Sequence, residues 1–135
     1  MAGFEFSGVS GFESDIDALI AKVNEATRMG VVAGAALIEA EAKKRAPVKR
    51  GSLRRSINTI SVTGGDGSYE ARIAPTIIYG RRIELGYHGV DSLGRNYGPP
   101  NKGYGGHPYL RPAVDASGSE IVDIMQTWWA SALGV

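Results

Sequence analysis

His88 and His107 are the side chains of this 135-residue chain best suited to proton transfer near neutral pH. They stand at opposite ends of a glycine-rich stretch, and neither belongs to a His-x-x-x-His pair that would hold zinc on a helix. With no cysteine in the chain, disulfides and thiolate metal sites are excluded. A nucleophile would have to be serine, threonine, lysine or a carboxylate, and no Gly-x-Ser-x-Gly elbow occurs. Asp15 and Asp17, two apart, point to different helix faces and are no carboxylate pair. The stretch GGDGSY (64–69) has the glycines of a phosphate cradle but lacks its lysine and following helix. These types and spacings point away from catalysis, and no catalytic residue, metal or cofactor is expected.

The charged chemistry is more suggestive. Residues 43–55, KKRAPVKRGSLRR, carry only basic charge, with acidic residues on either side, although the net charge of the chain is only +1. Lys43, Lys44, Lys49, Arg50, Arg54 and Arg55 could neutralise phosphates. The run holds no aromatic residue to stack on bases and no recognition-helix motif. Its first part also reads as a helix C-terminus, where cations are favoured in any case. A charged rim, solvated or paired with acids of a neighbouring subunit, is the simpler reading. Direct nucleic-acid binding stands as the alternative from a different functional class.

The elements that must position these residues follow from periodicity. Residues 1–13 read as a flexible N-terminal arm, with Phe4 and Phe6 among small residues. Leaving such rings in water is unfavourable, at about 25 cal/mol per Å², so the arm is expected to dock on a neighbour. Ser14 and Asp17 form a candidate capping box. A long helix follows, its apolar positions recurring from Ile16 to Ile38 at three- and four-residue steps. Gly30 and Gly34 either break it or let another backbone approach, and Pro47 ends it. Residues 57–63 and 68–74 alternate about a GGDG turn as a β-hairpin, with Asn58, Ile60 and Val62 sharing a face. Residues 76–86 fit either a strand or one or two helical turns. An extended loop, 86–107, carries Tyr87, Tyr97 and Tyr104; a loop of that length is usually functional. A last helix is expected over about 117–133. The fold class is α+β: long N-terminal and C-terminal helices packed on a small antiparallel sheet, in a single domain over 14–135 with a long glycine-rich loop. No apolar run reaches the roughly twenty residues of a membrane span, and no export signal is visible.

Three stretches stand in order: APVKRGSLRRSI (46–57), YGRRIELG (79–86) and HPYLRPAVD (107–115). Together they resemble the head–tail joining, or tail-completion, proteins of the neck of long-tailed bacteriophages. The matching positions are Pro47, Gly51, Leu53, Arg54, Ser56 and Ile57, then Tyr79, Glu84 and Gly86, then Pro108 through Ala113. The chain departs from the family pattern at Arg50 and in the length of its loop. The resemblance implies a virion structural protein, made in the host cytoplasm, and not an enzyme. It implies a homo-oligomeric ring, with a hexamer the first expectation, built from a chain that is monomeric in isolation. Its partners would be head-completion and tail terminator or tube proteins. DNA would pass through without sequence-specific binding, with Lys43 to Arg55 facing the passage or the rim. A tail terminator capping the tube is the neighbouring alternative.

Against that frame Phe4, Phe6, Tyr87, Tyr97 and Tyr104 are candidate interface residues. Glu84, Pro108, Tyr109, Leu110, Arg111 and Pro112 are candidate anchors of the loop. Glu84 and Arg111, if buried together, would pair and tie the loop's two ends; if exposed, they would meet another subunit or do little.

Overall fold

One helix organises the molecule. In the computed structural model, which describes residues 9–48, 51–86, 89–90, 92–96 and 106–135, α1 runs unbroken over Val9–Arg45, 37 residues or about 55 Å at 1.5 Å per residue. It begins ahead of Ser14, so the Ser14–Asp17 pair lies within the helix rather than capping it, and residues 9–13 are helical where the arm was expected. Ala46 turns out at the end, as the residue before a proline must.

The helix does not break at Gly30 and Gly34, because those positions face a partner. A Cβ on Gly30 would collide with the Met125 side chain, and one on Gly34 would touch Ile121 Cγ2 at 3.4 Å. That partner is α4, Leu110–Leu133. It runs antiparallel to α1: Thr27 lies beside Trp129, Gly30 beside Met125 and Gly34 beside Ile121. The missing side chains let the two backbones close up, which offsets the roughly 1 kcal/mol each glycine costs a helix. Thr27 Oγ1 accepts a hydrogen bond from Trp129 Nε1 at 2.9 Å and donates one to the Val23 carbonyl at 2.8 Å. α4 starts seven residues ahead of the expected boundary, for reasons that lie in the site below.

A one-turn helix α2 (Ser52–Ser56) follows α1, an element the basic composition of this stretch conceals. It leads into the hairpin of β1 (Ile57–Gly65) and β2 (Ser68–Pro75). The connection is the two-residue Asp66-Gly67 turn, both with positive φ (52° and 81°), the backbone that matches the twist of a tight hairpin. The ladder slips between Thr59 and Ser61. This bulge changes which side chains face inward. Ile57, Thr59 and Val62 pair with Pro75, Ile73 and Ala71, while Ile60 is thrown outward, 57% exposed. The shared face expected for Asn58, Ile60 and Val62 is therefore wrong: one extra residue in a strand reverses the alternation beyond it.

The hairpin packs on α1 and is tied to it by one carboxylate. Thr59 donates both its backbone N–H and its hydroxyl to Glu39 Oε2, each at 3.1 Å, and Lys43 Nζ donates to Glu39 Oε1 at 2.9 Å. The ambiguous segment resolves as a short helix, α3, Gly80–Leu85. The fold class is α+β, as the sequence implies, with α1 as the shared support of both α4 and the sheet. No described helix is long and apolar enough to cross a membrane.

Candidate assembly site at the base of the long loop

The fullest burial in the molecule lies where α1 ends. Ala42, Ala46, Leu53, Ile57, Tyr109 and Ala113 form one buried cluster, with Ile38, Ile73, Ile77, Ile83 and Leu110 packed against it. All three sequence stretches that carry the resemblance meet here. Tyr109 is fully buried, and its hydroxyl donates to the Gly80 carbonyl at 2.9 Å. Burial, reinforced by the negative charge of Glu84, pushes the Tyr109 phenol up to about 12. Gly80 is wedged in turn: a Cβ there would clash with the Pro75 ring and approach the Tyr109 oxygen at 3.2 Å. A ring, a proline and a glycine thus fix α3 against the start of α4.

Glu84 completes that start. Its carboxylate accepts from the backbone N–H groups of Tyr109 (2.6 Å), Leu110 (2.9 Å) and Arg111 (3.1 Å). A helix begins with four N–H groups that have no partner within it. Here Glu84 takes three, and Pro112, in the fourth place, has none to offer. The negative charge also meets the positive end of the helix dipole. The expected Glu84–Arg111 ion pair is not what holds the loop: Glu84 meets the Arg111 backbone, and the Arg111 side chain is exposed. Arg111 is not buried with Glu84, so the condition for an ion pair between them is not met, and the carboxylate finds amide partners that sequence does not distinguish from a guanidinium one.

The same contact pins the two ends of the loop together. The His107 N–H donates to the Ile83 carbonyl at 2.6 Å. Gly106, at φ 78°, lies so close to the other end that a Cβ would sit 2.9 Å from the Gly86 nitrogen and 3.2 Å from the Glu84 carbonyl. Chain leaving at Gly86 therefore returns at Gly106 through one backbone-to-backbone crossing. Within the loop an isolated bridge joins Val90 and Asn96. Pro108 is exposed, while Leu110 and Pro112 are partly buried. Phe4, Phe6, Lys49, Arg50, Tyr87, His88, Tyr97 and Tyr104 lie outside the described residues.

The basic run divides. Lys43 pairs with Glu39, Lys44 with Glu41 at 3.0 Å, and Arg45 with Glu41 at 3.5 Å. Hydrogen bonds from Lys43 and Thr59 hold the Glu39 carboxyl below its ordinary range, and Lys44 does the same for Glu41. That pairing with Glu39 and Glu41 partly cancels the field a phosphate would meet. Arg54 and Arg55 are exposed on α2. Beside them opens an apolar groove of about 470 Å³, lined by Pro47, Val48, Leu53, Tyr79 and Ile83 with Gly51 and Ser52. Sequence reasoning missed this groove. Its signal was the pairing of Pro47-Val48 with Tyr79, aliphatic and aromatic residues in otherwise charged segments.

Among the described residues no group of three or more histidine, aspartate or glutamate side chains is placed to share a metal ion. A family model described as "Bacteriophage HK97-gp10, putative tail-component" matches residues 11–86, more than half of the chain. That span covers α1 through α3 and the first two motif stretches; α4 and the third stretch lie beyond it. No curated protein and no solved structure matches the chain.

Proposed function

This chain belongs to the HK97-gp10-like family of bacteriophage tail components, and from that premise we propose that it is a tail-completion subunit of the neck, joining head to tail around the DNA passage. As a tail component it is a structural protein of the virion, where its partners are other virion proteins. The observation that carries the narrower role is the convergence of residues 46–57, 79–86 and 107–115 on one junction. The polar groups described there tie one backbone segment to another: the Glu84 carboxylate caps α4, the Tyr109 hydroxyl donates to the Gly80 carbonyl and the His107 N–H donates to the Ile83 carbonyl. Such a junction sets an angle between elements and leaves an apolar groove at the surface for contacts, beside the point where the chain leaves at Gly86 and returns at Gly106. Closed rings are built from heterologous contacts, one patch meeting a different patch on the next copy, and a hexamer suits a long tail.

A tail terminator would use the same features at the adjoining level of the particle. Nucleic-acid binding as the primary activity is disfavoured by the pairing of Lys43, Lys44 and Arg45 with Glu39 and Glu41. The test is to assemble particles without the chain. Tail completion predicts DNA-filled heads and finished tails that stay apart, joined again when the chain is supplied. A terminator predicts tails of uncontrolled length, and firmly attached tails of normal length would contradict both.

A further inference from the structure

The groove between the end of α1, α2 and α3 is open apolar surface. Val48 is 53% exposed and Tyr79 43% exposed, and Leu53 and Ile83 form the floor beneath them. Its rim is cationic. Arg54 and Arg55 are exposed on α2, and the Arg55 guanidinium folds over Gly51, within 3.0 Å of where a Cβ would stand. The groove therefore fits a short segment with apolar anchors and a carboxylate between or beside them. The chain carries one such segment at its N-terminus, Phe4-Glu5-Phe6. We propose that the Phe4-Glu5-Phe6 segment of one copy inserts into the α2–α3 groove of the next copy, the phenylalanines in the apolar trough and Glu5 toward Arg54 and Arg55.

Length forces the insertion to be between copies. The groove starts immediately after the C-terminus of α1, and the segment precedes the N-terminus of the same helix, 37 residues earlier. That separation is about 55 Å along the helix axis. Eight residues reach at most about 28 Å when fully extended, so the arm falls short of its own groove by a wide margin. A neighbour whose groove lies near the Val9 end of α1 is within reach. The contact is heterologous, end of helix to base of loop, and so propagates around a ring. Within its own chain the arm can reach only the distal half of the helix pair. A smaller pocket of about 250 Å³ opens there, lined by residues that include Ala26, Met29 and Trp128. That pocket is the competing site.

This inference rests on self-association of the chain, one part of the proposed role, and its failure is separable from failure of that role. The experiment places a benzoylphenylalanine photo-crosslinker at Phe4 of the full-length chain. Isotopically heavy and light protein are mixed, then irradiated both as purified protein and in assembled particles. The expected product joins heavy to light chain, at peptides containing Val48, Leu53, Tyr79 or Ile83. Val48→Glu, on the exposed wall of the groove, should lower that product at least tenfold. Glu5→Arg should lower it as well, and Glu5→Arg combined with Arg55→Glu should restore it. Crosslinks confined to Met29 or Trp128 of the same chain, crosslinks to any other surface, or none to the groove in either preparation would overturn the proposal. So would a groove already occupied by residues 97–105 of its own chain, which a second crosslinker at Tyr97 would reveal. In each of those cases tail attachment could persist, and the neck role would stand without the arm.

Discussion

The two ends of the α1–α4 pair are built to different standards. At the loop base, six buried residues gather in one cluster, and three backbone N–H groups converge on one carboxylate. Away from the base the helices meet through Thr27, Gly30 and Gly34 against Trp129, Met125 and Ile121, and Phe12, Ile20, Trp129 and Leu133 remain 38–52% exposed. On the reading proposed above, the base fixes an angle and presents the α2–α3 groove, and the distal end adds further apolar surface for neighbours. Near the base, Ser117 is buried and its hydroxyl has no hydrogen-bond partner among the described residues, a local cost of an unsatisfied polar group.

Substitutions test that division, beginning with the largest effect. Tyr109→Ala opens a cavity at the base and leaves the Gly80 carbonyl without its donor. It should destabilise by about 3–5 kcal/mol, read as the shift of a urea unfolding midpoint. Glu84→Ala leaves three N–H groups at the start of α4 without acceptors and should cost about 2 kcal/mol. Glu84→Gln should fall between wild type and alanine, and hydrogen exchange at residues 109–111 should rise in both variants. An unchanged exchange rate there would mean that Glu84 does not cap the helix.

Glu39→Gln weakens the tie between α1 and the hairpin and should cost about 1 kcal/mol at neutral pH. The sign of its pH dependence is fixed by the direction of the shift. A carboxyl whose folded-state pKa is depressed contributes fully above its unfolded value, and that contribution is lost as pH falls through the folded value. The gap between wild type and Glu39→Gln should therefore close as pH drops below the ordinary value of 4.5. The smallest effect is expected at the distal end. Ile20→Ala, at a side chain 52% exposed, should alter monomer stability by no more than about 0.5 kcal/mol while reducing incorporation into particles. A loss of several kcal/mol in the isolated chain would erase the contrast between the two ends.

The sequence made some of this design visible and concealed the rest for identifiable reasons. Period and turn chemistry were enough for α1, for the hairpin with a turn within GGDG (64–67), of which Gly64 and Gly65 in fact extend β1, and for the α+β class. Both helix starts were missed. α1 begins before its plausible cap at Ser14, and α4 begins through a cap supplied by Glu84, 25 residues away from Tyr109. A cap of that kind has no local signature. The β-bulge after Thr59 was hidden because a continuous β-branched run reads as regular alternation. The groove depends on Pro47 and Tyr79 meeting in space, a long-range fact that periodicity does not carry. The motif stretches, by contrast, do converge in the structure, where Glu84, Tyr109 and Leu53 come together.

The proposal that this chain is a ring-forming joint is tested most directly by a cryo-electron microscopy reconstruction of the intact virion neck. The account predicts a closed ring of copies of this chain between the head-closure proteins and the tail tube, with its loop bases oriented alike. Density placing the chain elsewhere in the particle, or as an isolated copy that touches no other, would contradict it.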